Sequence, residues 1–159
     1  MSTVKTQGTK LYFVDTVTSS VPAIIELACP TGVTGLGGAA DQIETTCLAD
    51  TTDKTFTRGL GSPGQVSVPF NLEPSAASHQ LLFELKEAGT TVNFLACLSD
   101  GVAVPTVLDS NDRITPPNDR TSFGFDAYVA DVNIDIATNE IVRGTLTLQR
   151  SGQVTATWN

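Results

Sequence analysis

DQIETTCLADTTDKTFTRGLGSPGQVSVPFNL, residues 41–72, has two strand-like ends and an irregular middle. At its far end Val66, Val68, Phe70 and Leu72 alternate with Gln65, Ser67, Pro69 and Asn71, the period of a half-buried strand. Pro69 has no N–H to give to a ladder, which puts this strand at an edge or rim of its sheet. DQIETTCL (41–48) is a weaker strand, and the two ends read as partners. Between them, CLADTTDKTFTRGLGSPG (47–64) follows neither a strand nor a helix period. Structureless connections beyond about 12–15 residues are uncommon in compact domains and tend to be functional or disordered. Residues 48–63 are therefore the first place to look for function.

On the N-terminal side, TKLYFV (9–14) and AIIELA (23–28) read as strands, the second ended by Pro30 and the turn-forming PTGVTGLGG. On the C-terminal side, PSAASHQLLFELKEAG is the one convincing helix. Pro74 suits its first turn, Ala77, Leu81, Leu85 and Ala88 share a face, and Gly89 supplies the stop. TVNFLACL (91–98) groups Val92, Phe94, Ala96 and Leu98, and PTVLDSNDRITPPNDR (105–120) reads as a second long loop. In SFGFDAYVA the inward set is Phe123, Phe125, Ala127 and Val129; in VNIDIA it is Val132, Ile134 and Ile136. The parity changes between Val129 and Val132, which predicts a bulge or bend near Ala130 and Asp131. IVRGTLTLQRS, with Val142, Leu146 and Leu148 on one face, and GQVTATWN complete a mainly β chain. The expected fold is a β-sandwich or split β-barrel with one flanking helix and a long inter-strand loop.

The 159 residues fit one domain, 1–159, with 48–63 as a loop inside it. Net charge is −8, and the nine Lys and Arg are scattered, with no basic patch. Clustered cations supply most non-specific affinity for nucleic acid, so the composition argues against tight DNA or RNA binding. No apolar run suits a signal peptide or a membrane span, which predicts a cytosolic origin and no membrane partner. Cys29, Cys47 and Cys97 are odd in number and lack CxxC spacing, so they are expected to be ordinary buried thiols.

Catalytic and cofactor signals are weak. Gly35-Leu36-Gly37-Gly38-Ala39-Ala40 and Gly59-Leu60-Gly61-Ser62-Pro63-Gly64 fit dinucleotide-type glycine patterns, but each leads into strand-like sequence rather than a helix and reads as a flexible turn. His79, the only histidine, has no nucleophile or second ligand at a defined spacing and is expected at a helix surface or boundary. No G-x-S-x-G elbow is present, and the calcium-loop pattern around Asp109 fails where Arg113 follows Asp112. The pairs Asp50 and Asp53, Asp109 and Asp112, and Asp131 and Asp135 read as loop and strand-exterior charge. The expectation is a non-enzyme without cofactor or metal, its function residing in surfaces that meet other subunits.

The order strand, strand, DQIETTCLADTTDKTFTRG, QVSVPFNL, a single helix and TVNFLACL resembles the major tail (tail tube) protein of long-tailed, non-contractile bacteriophages. The I-x-T-T-C-L start and the charged loop ending in Arg-Gly are its most suggestive elements. The resemblance implies hexameric rings whose inner sheets join into one β-barrel around a channel, with rings stacking into a tube through which DNA leaves the virion. It also implies a long loop, here 48–63, that reaches the neighbouring ring, with Asp50, Asp53, Lys54 and Arg58 as contact residues. Gln42, Glu44 and Thr46 on one strand and Gln65, Ser67 and Asn71 on the other become channel-lining candidates, a wall on which polyanionic DNA would not stick. Further implied are a tape measure protein, a tail terminator and tail tip proteins as partners, no specific DNA binding, and assembly in the host cytoplasm; in departure from some relatives, the short sequence leads us to expect no extra C-terminal Ig-like domain. The same fold serves tail terminators, contractile-tail tubes and type VI secretion tubes, which stay open as alternatives. A ligand-binding β-sandwich is disfavoured by an aromatic share of only 6%.

Overall fold

The structure, a computed structural model, describes residues 3–159. Its elements are β1 (Lys10–Asp15), β2 (Ala23–Glu26), β3 (Ala40–Glu44), β4 (Phe56–Gly61), β5 (Gln65–Asn71), α1 (Ala77–Ala88), β6 (Val92–Cys97), β7 (Ser122–Asp135), β8 (Arg143–Arg150) and β9 (Thr155–Thr157). Seven strands form one antiparallel sheet in the order β2-β1-β6-β7-β8-β5, with β9 beside β7. β3 and β4 form a separate two-stranded sheet.

The long strand β7 makes the split. Its first half, Ser122 to Ala127, pairs with β6, while Ala127 to Asp135 pairs with β8. The register slips between Val129 and Asp131, where the change of parity predicted a bulge. A bulge adds one residue and tightens the local twist, which turns the β8–β5 half of the sheet over the β1–β6 half. The two halves share one core containing Phe13, Phe94, Phe125, Val66, Val68, Phe70, Leu146 and Leu148. Phe94 stacks between Phe13 and Phe125 at centroid separations of 5.8 and 5.6 Å. Each such side chain, fully buried, contributes about 1.5–3 kcal/mol by transfer. Gly144 lies under the Phe70 ring, where a Cβ would collide with it.

The helix closes the core with Leu81, Leu82 and Leu85. Gly89 ends it at φ 65°, its N–H donating to the Leu85 carbonyl over 3.0 Å. Ala77 and Ala88 are exposed, so the apolar face is narrower and rotated towards Leu82 relative to the i, i+4 reading. His79 is buried, contrary to expectation. Its Nδ1 accepts from the Glu73 N–H at 3.0 Å and its Nε2 lies 2.7 Å from the Ala28 carbonyl, so the ring ties the helix start to the end of the β2 segment. The α1 helix is too short to cross a membrane.

Strand β6 is buried on both faces. Its second face, Leu95 and Cys97, packs with Tyr12, Val14 and Ile114 in a smaller cluster. The 105–120 loop supplies that cover: Leu108 and Ile114 bridge, and the Ile114 N–H donates to Asn93. Burial pushes the Cys97 thiol up to about 11. Cys29 and Cys47 are exposed, which corrects the expectation of buried thiols; both sit in irregular backbone outside the main sheet. Of the inward set predicted for β7, Ile136 is 81% exposed because it follows the end of the strand.

Edge placement of the Pro69 strand holds: β5 is the last strand of the sheet path. Its free side is partly covered by residues 29–34. Thr34 and Ser67 exchange backbone bonds, Thr31 donates to the Pro69 carbonyl, and Asn71 donates to Cys29. The segment read as a plain turn after Pro30 is thus an irregular capping strand.

Candidate functional site

The segment 47–64 is not structureless. Thr55 to Gly61 returns along the chain that precedes the turn, giving a hairpin arm in which Gln42 faces Arg58, Ile43 faces Thr57 and Glu44 faces Phe56. The strands expected as partners, 41–48 and 65–72, do not pair: β3 binds β4 and β5 binds β8. Period-2 reading missed β4 because both of its faces are exposed, so no apolar–polar alternation marks it. Gly59 and Gly61, read as turn glycines, lie in this strand.

The arm has no core. Ile43 and Phe56 are each 54% exposed and Leu60 84%, and Leu48 at the tip is fully exposed. Isolated two-stranded hairpins are marginal in water, since pairing alone offsets little of the ordering entropy. Local bonds shape the tip. The Thr55 N–H donates to Thr46 Oγ1 at 2.9 Å, and Asp50 Oδ2 accepts from the Cys47 N–H at 2.8 Å. Lys54 Nζ stands 3.9 Å from Glu44, both exposed, a contact worth about 0–1 kcal/mol in water. Asp53 makes no hydrogen bond or ion pair among the described residues.

The sequence-predicted residues therefore fall into two places. Gln42, Glu44, Thr46, Asp50, Asp53, Lys54 and Arg58 all belong to the arm. Gln65, Ser67 and Asn71 lie on the outer face of β5, opposite Gln149, Thr147 and Arg143 of β8. That outer wall is polar and carries one cation, Arg143, at the end where Asp135 of β7 lies across from it. The hairpin adds cations beside the channel-lining candidates of 41–48: Arg58 faces Gln42 and Lys54 approaches Glu44.

Where the arm joins the body, a groove of about 460 Å³ opens between Leu36 to Gly38, Arg58, Gly61 to Pro63, Arg150 and Gly152 to Val154. Arg150 was missed by sequence reasoning, yet a signal existed: it occupies the inward parity of β8 after Leu146 and Leu148. Elsewhere the acids serve the fold. Asp100 accepts from the Thr121 hydroxyl and N–H, and Asp109 from the N–H groups of Arg113 and Asn111; these bonds hold both carboxyls below the usual range. At Asp15 burial opposes ionisation, but bonds from the Thr18 hydroxyl, the Thr18 N–H and the Val17 N–H outweigh it and the pKa is lowered. No group of three His, Cys, Asp or Glu able to hold a metal occurs among the described residues.

Residues 2–159 match the family described as phage tail tube, TTP, lambda-like. The chain is 36% identical over 153 residues to structural protein 3 of Pseudomonas phage PAJU2, covering 94% of this chain and 91% of that one. Among solved structures, the PVC sheath/tube terminator of an extracellular contractile injection system in its extended state superposes with a TM-score of 0.70 at 11% identity, over 99% of both chains. The SPP1 tail tube superposes with a TM-score of 0.61 at 16% identity, over 99% of this chain and 80% of that one.

Proposed function

The chain belongs to the lambda-like phage tail tube family, as a structural component of the virion tail, and from that premise we propose how it assembles. Six copies close into a ring around a channel, and rings stack head to tail into the tube through which DNA leaves the capsid. The arm, 40–61, is the inter-ring contact, with Asp50, Asp53, Lys54 and Arg58 as its charged residues. The observation that carries this reading is that the arm exposes Ile43, Leu48, Phe56 and Leu60 on a two-stranded sheet without a core. Such a sheet gains its order from a partner, and a second subunit is the partner always present in a homopolymer.

Gln65, Ser67 and Asn71, with Thr145, Thr147 and Gln149 beside them, form the channel wall. Gln42, Glu44 and Thr46 extend that wall once a neighbouring subunit takes up the arm. Closure across subunits removes the open edge of β2. The β5–β8 part of this wall, with Arg143 as its one cation, releases few counterions on contact, so DNA slides along it without being held. The finished tube meets a tape measure protein, a terminator and tail tip proteins, and it is built in the host cytoplasm.

Electron microscopy of the purified chain over a concentration series, alone and with tail initiator complexes, tests this reading. Hexameric rings and tubes are expected. Compact monomers under every condition contradict it, and rings that never stack favour a terminator over a tube.

A further inference from the structure

We propose that the groove at the root of the arm is the receptor for the arm tip of another copy, with Arg58 and Arg150 receiving the carboxylate of Asp53. This rests on the stacked-tube reading and adds to it the acceptor site, the role of Arg150 and the chemistry of the contact.

Two buried arginines set up the argument by contrast. Arg120 is satisfied within its own subunit: Nε donates to the Leu98 carbonyl at 2.6 Å, Nη1 to Ala103 at 2.9 Å, and Nη2 to Gly8 and Cys97. Arg150 is 4% exposed and donates from Nη2 to the Gly37 carbonyl, while its Nε has no partner. No carboxylate lies within 4 Å of Arg150 or Arg58 among the described residues, although acids outnumber cations 17 to 9 in the chain. A buried guanidinium without a counter-charge is costly, and a bidentate carboxylate is the group that matches its planar fork.

The groove offers more than charge. Leu36 and Val154, which pack against the core and are only partly buried, line it together with the two arginines. The arm tip carries the complement, fully exposed Leu48 and Asp53, whose carboxylate is uncommitted. Of the other arm acids, Asp50 accepts from the Cys47 N–H, Glu44 pairs with Lys54, and Asp41 lies beside Gly59 at the root rather than at the tip. The tip is held away from its own root, because the two lie at opposite ends of one paired sheet; the five residues of β3 alone set them about 15 Å apart. The contact is therefore between copies, and because donor and acceptor patches differ it is heterologous and propagates.

The test compares Asp53→Lys, Arg58→Glu and the two combined, with wild type and with circular dichroism to verify folding. Each single variant is expected to raise the concentration needed for tubes by about tenfold or more, and the combined swap to recover most of that loss. Tubes of wild type that both single variants match, or a combined variant no better than either single one, overturn the proposal and leave the tube reading standing. A wild-type chain that remains monomeric removes the tube reading and this inference with it. If the wild-type subunit binds a short DNA duplex, Arg58→Glu abolishes that binding and tubes are unimpaired, the groove belongs to phosphate and the proposal falls.

Discussion

The body and the arm are both antiparallel β-structure with similar backbone geometry, and they differ in where their order comes from. In the body, strands are pinned by a shared apolar interior, so Phe94 or Leu146 is inaccessible to water from every side. In the arm, residues of the same kind, Phe56 and Leu60, face solvent. Hydrogen-bond ladders alone contribute little net stability because water competes for the same groups. A hairpin drawn to that length without a core has little in its own subunit to hold it, whereas the body carries its own apolar interior.

Excising the arm is the strongest way to break this comparison. Ala40 and Gly61 are paired, so a short Gly-Ser linker can replace 41–60 without straining the body. The variant is expected to keep the thermal unfolding of the wild-type subunit and to form no tubes at all by electron microscopy. Loss of the folded body instead would show that the arm stabilises its own subunit. Next in size, Phe94→Ala costs about 3–5 kcal/mol in urea unfolding, since it empties the centre of an aromatic stack, while Phe56→Ala stays within about 0.5 kcal/mol and acts on assembly only. Equal effects in the two assays would erase the distinction. Reversing the arm charges with Lys54→Glu and Arg58→Glu weakens tube formation, and the gap from wild type narrows as salt rises, measured by sedimentation at several ionic strengths.

The smallest effect concerns acid. Asp100, Asp109 and Asp15, all in the body, have depressed carboxyl pKa values. Their stabilising contribution is full above the unfolded carboxylate value of about 3.9 and is lost as pH falls through the lower folded values. The urea midpoint of the subunit should be flat between about pH 5 and 7 and decline below about pH 4, with a shallower decline in Asp100→Asn.

Much of the body was legible in the sequence. The alternation at 65–72, the parity change in 122–136 and the glycine stop at Gly89 each have a direct physical cause, and each has its counterpart in β5, the β7 bulge and the end of α1. What escaped reading lacked contrast between faces. β4 is wet on both sides, residues 29–34 pair with β5 without a regular strand period, through backbone bonds helped by the Thr31 and Thr34 hydroxyls, and His79 is buried through two main-chain partners that no spacing rule reports. The candidate contact residues on the arm were found because the stretch resisted a pattern. The proposed acceptor was missed because Arg150 lies 92 residues further along the chain than Arg58, brought back to the arm root only by the fold.

The separation of the arm into a tip and a root also bears on counting. A subunit that presents the same tip and the same root at every level carries no record of how many levels lie behind it. On the proposed tip-to-root contact, tube length is set by another molecule and growth has a direction. One end displays unused tips and the other unused roots, so whatever starts the polymer and whatever stops it need opposite chemistries: one supplies an acidic, leucine-bearing finger, the other a pair of arginines over an aliphatic floor.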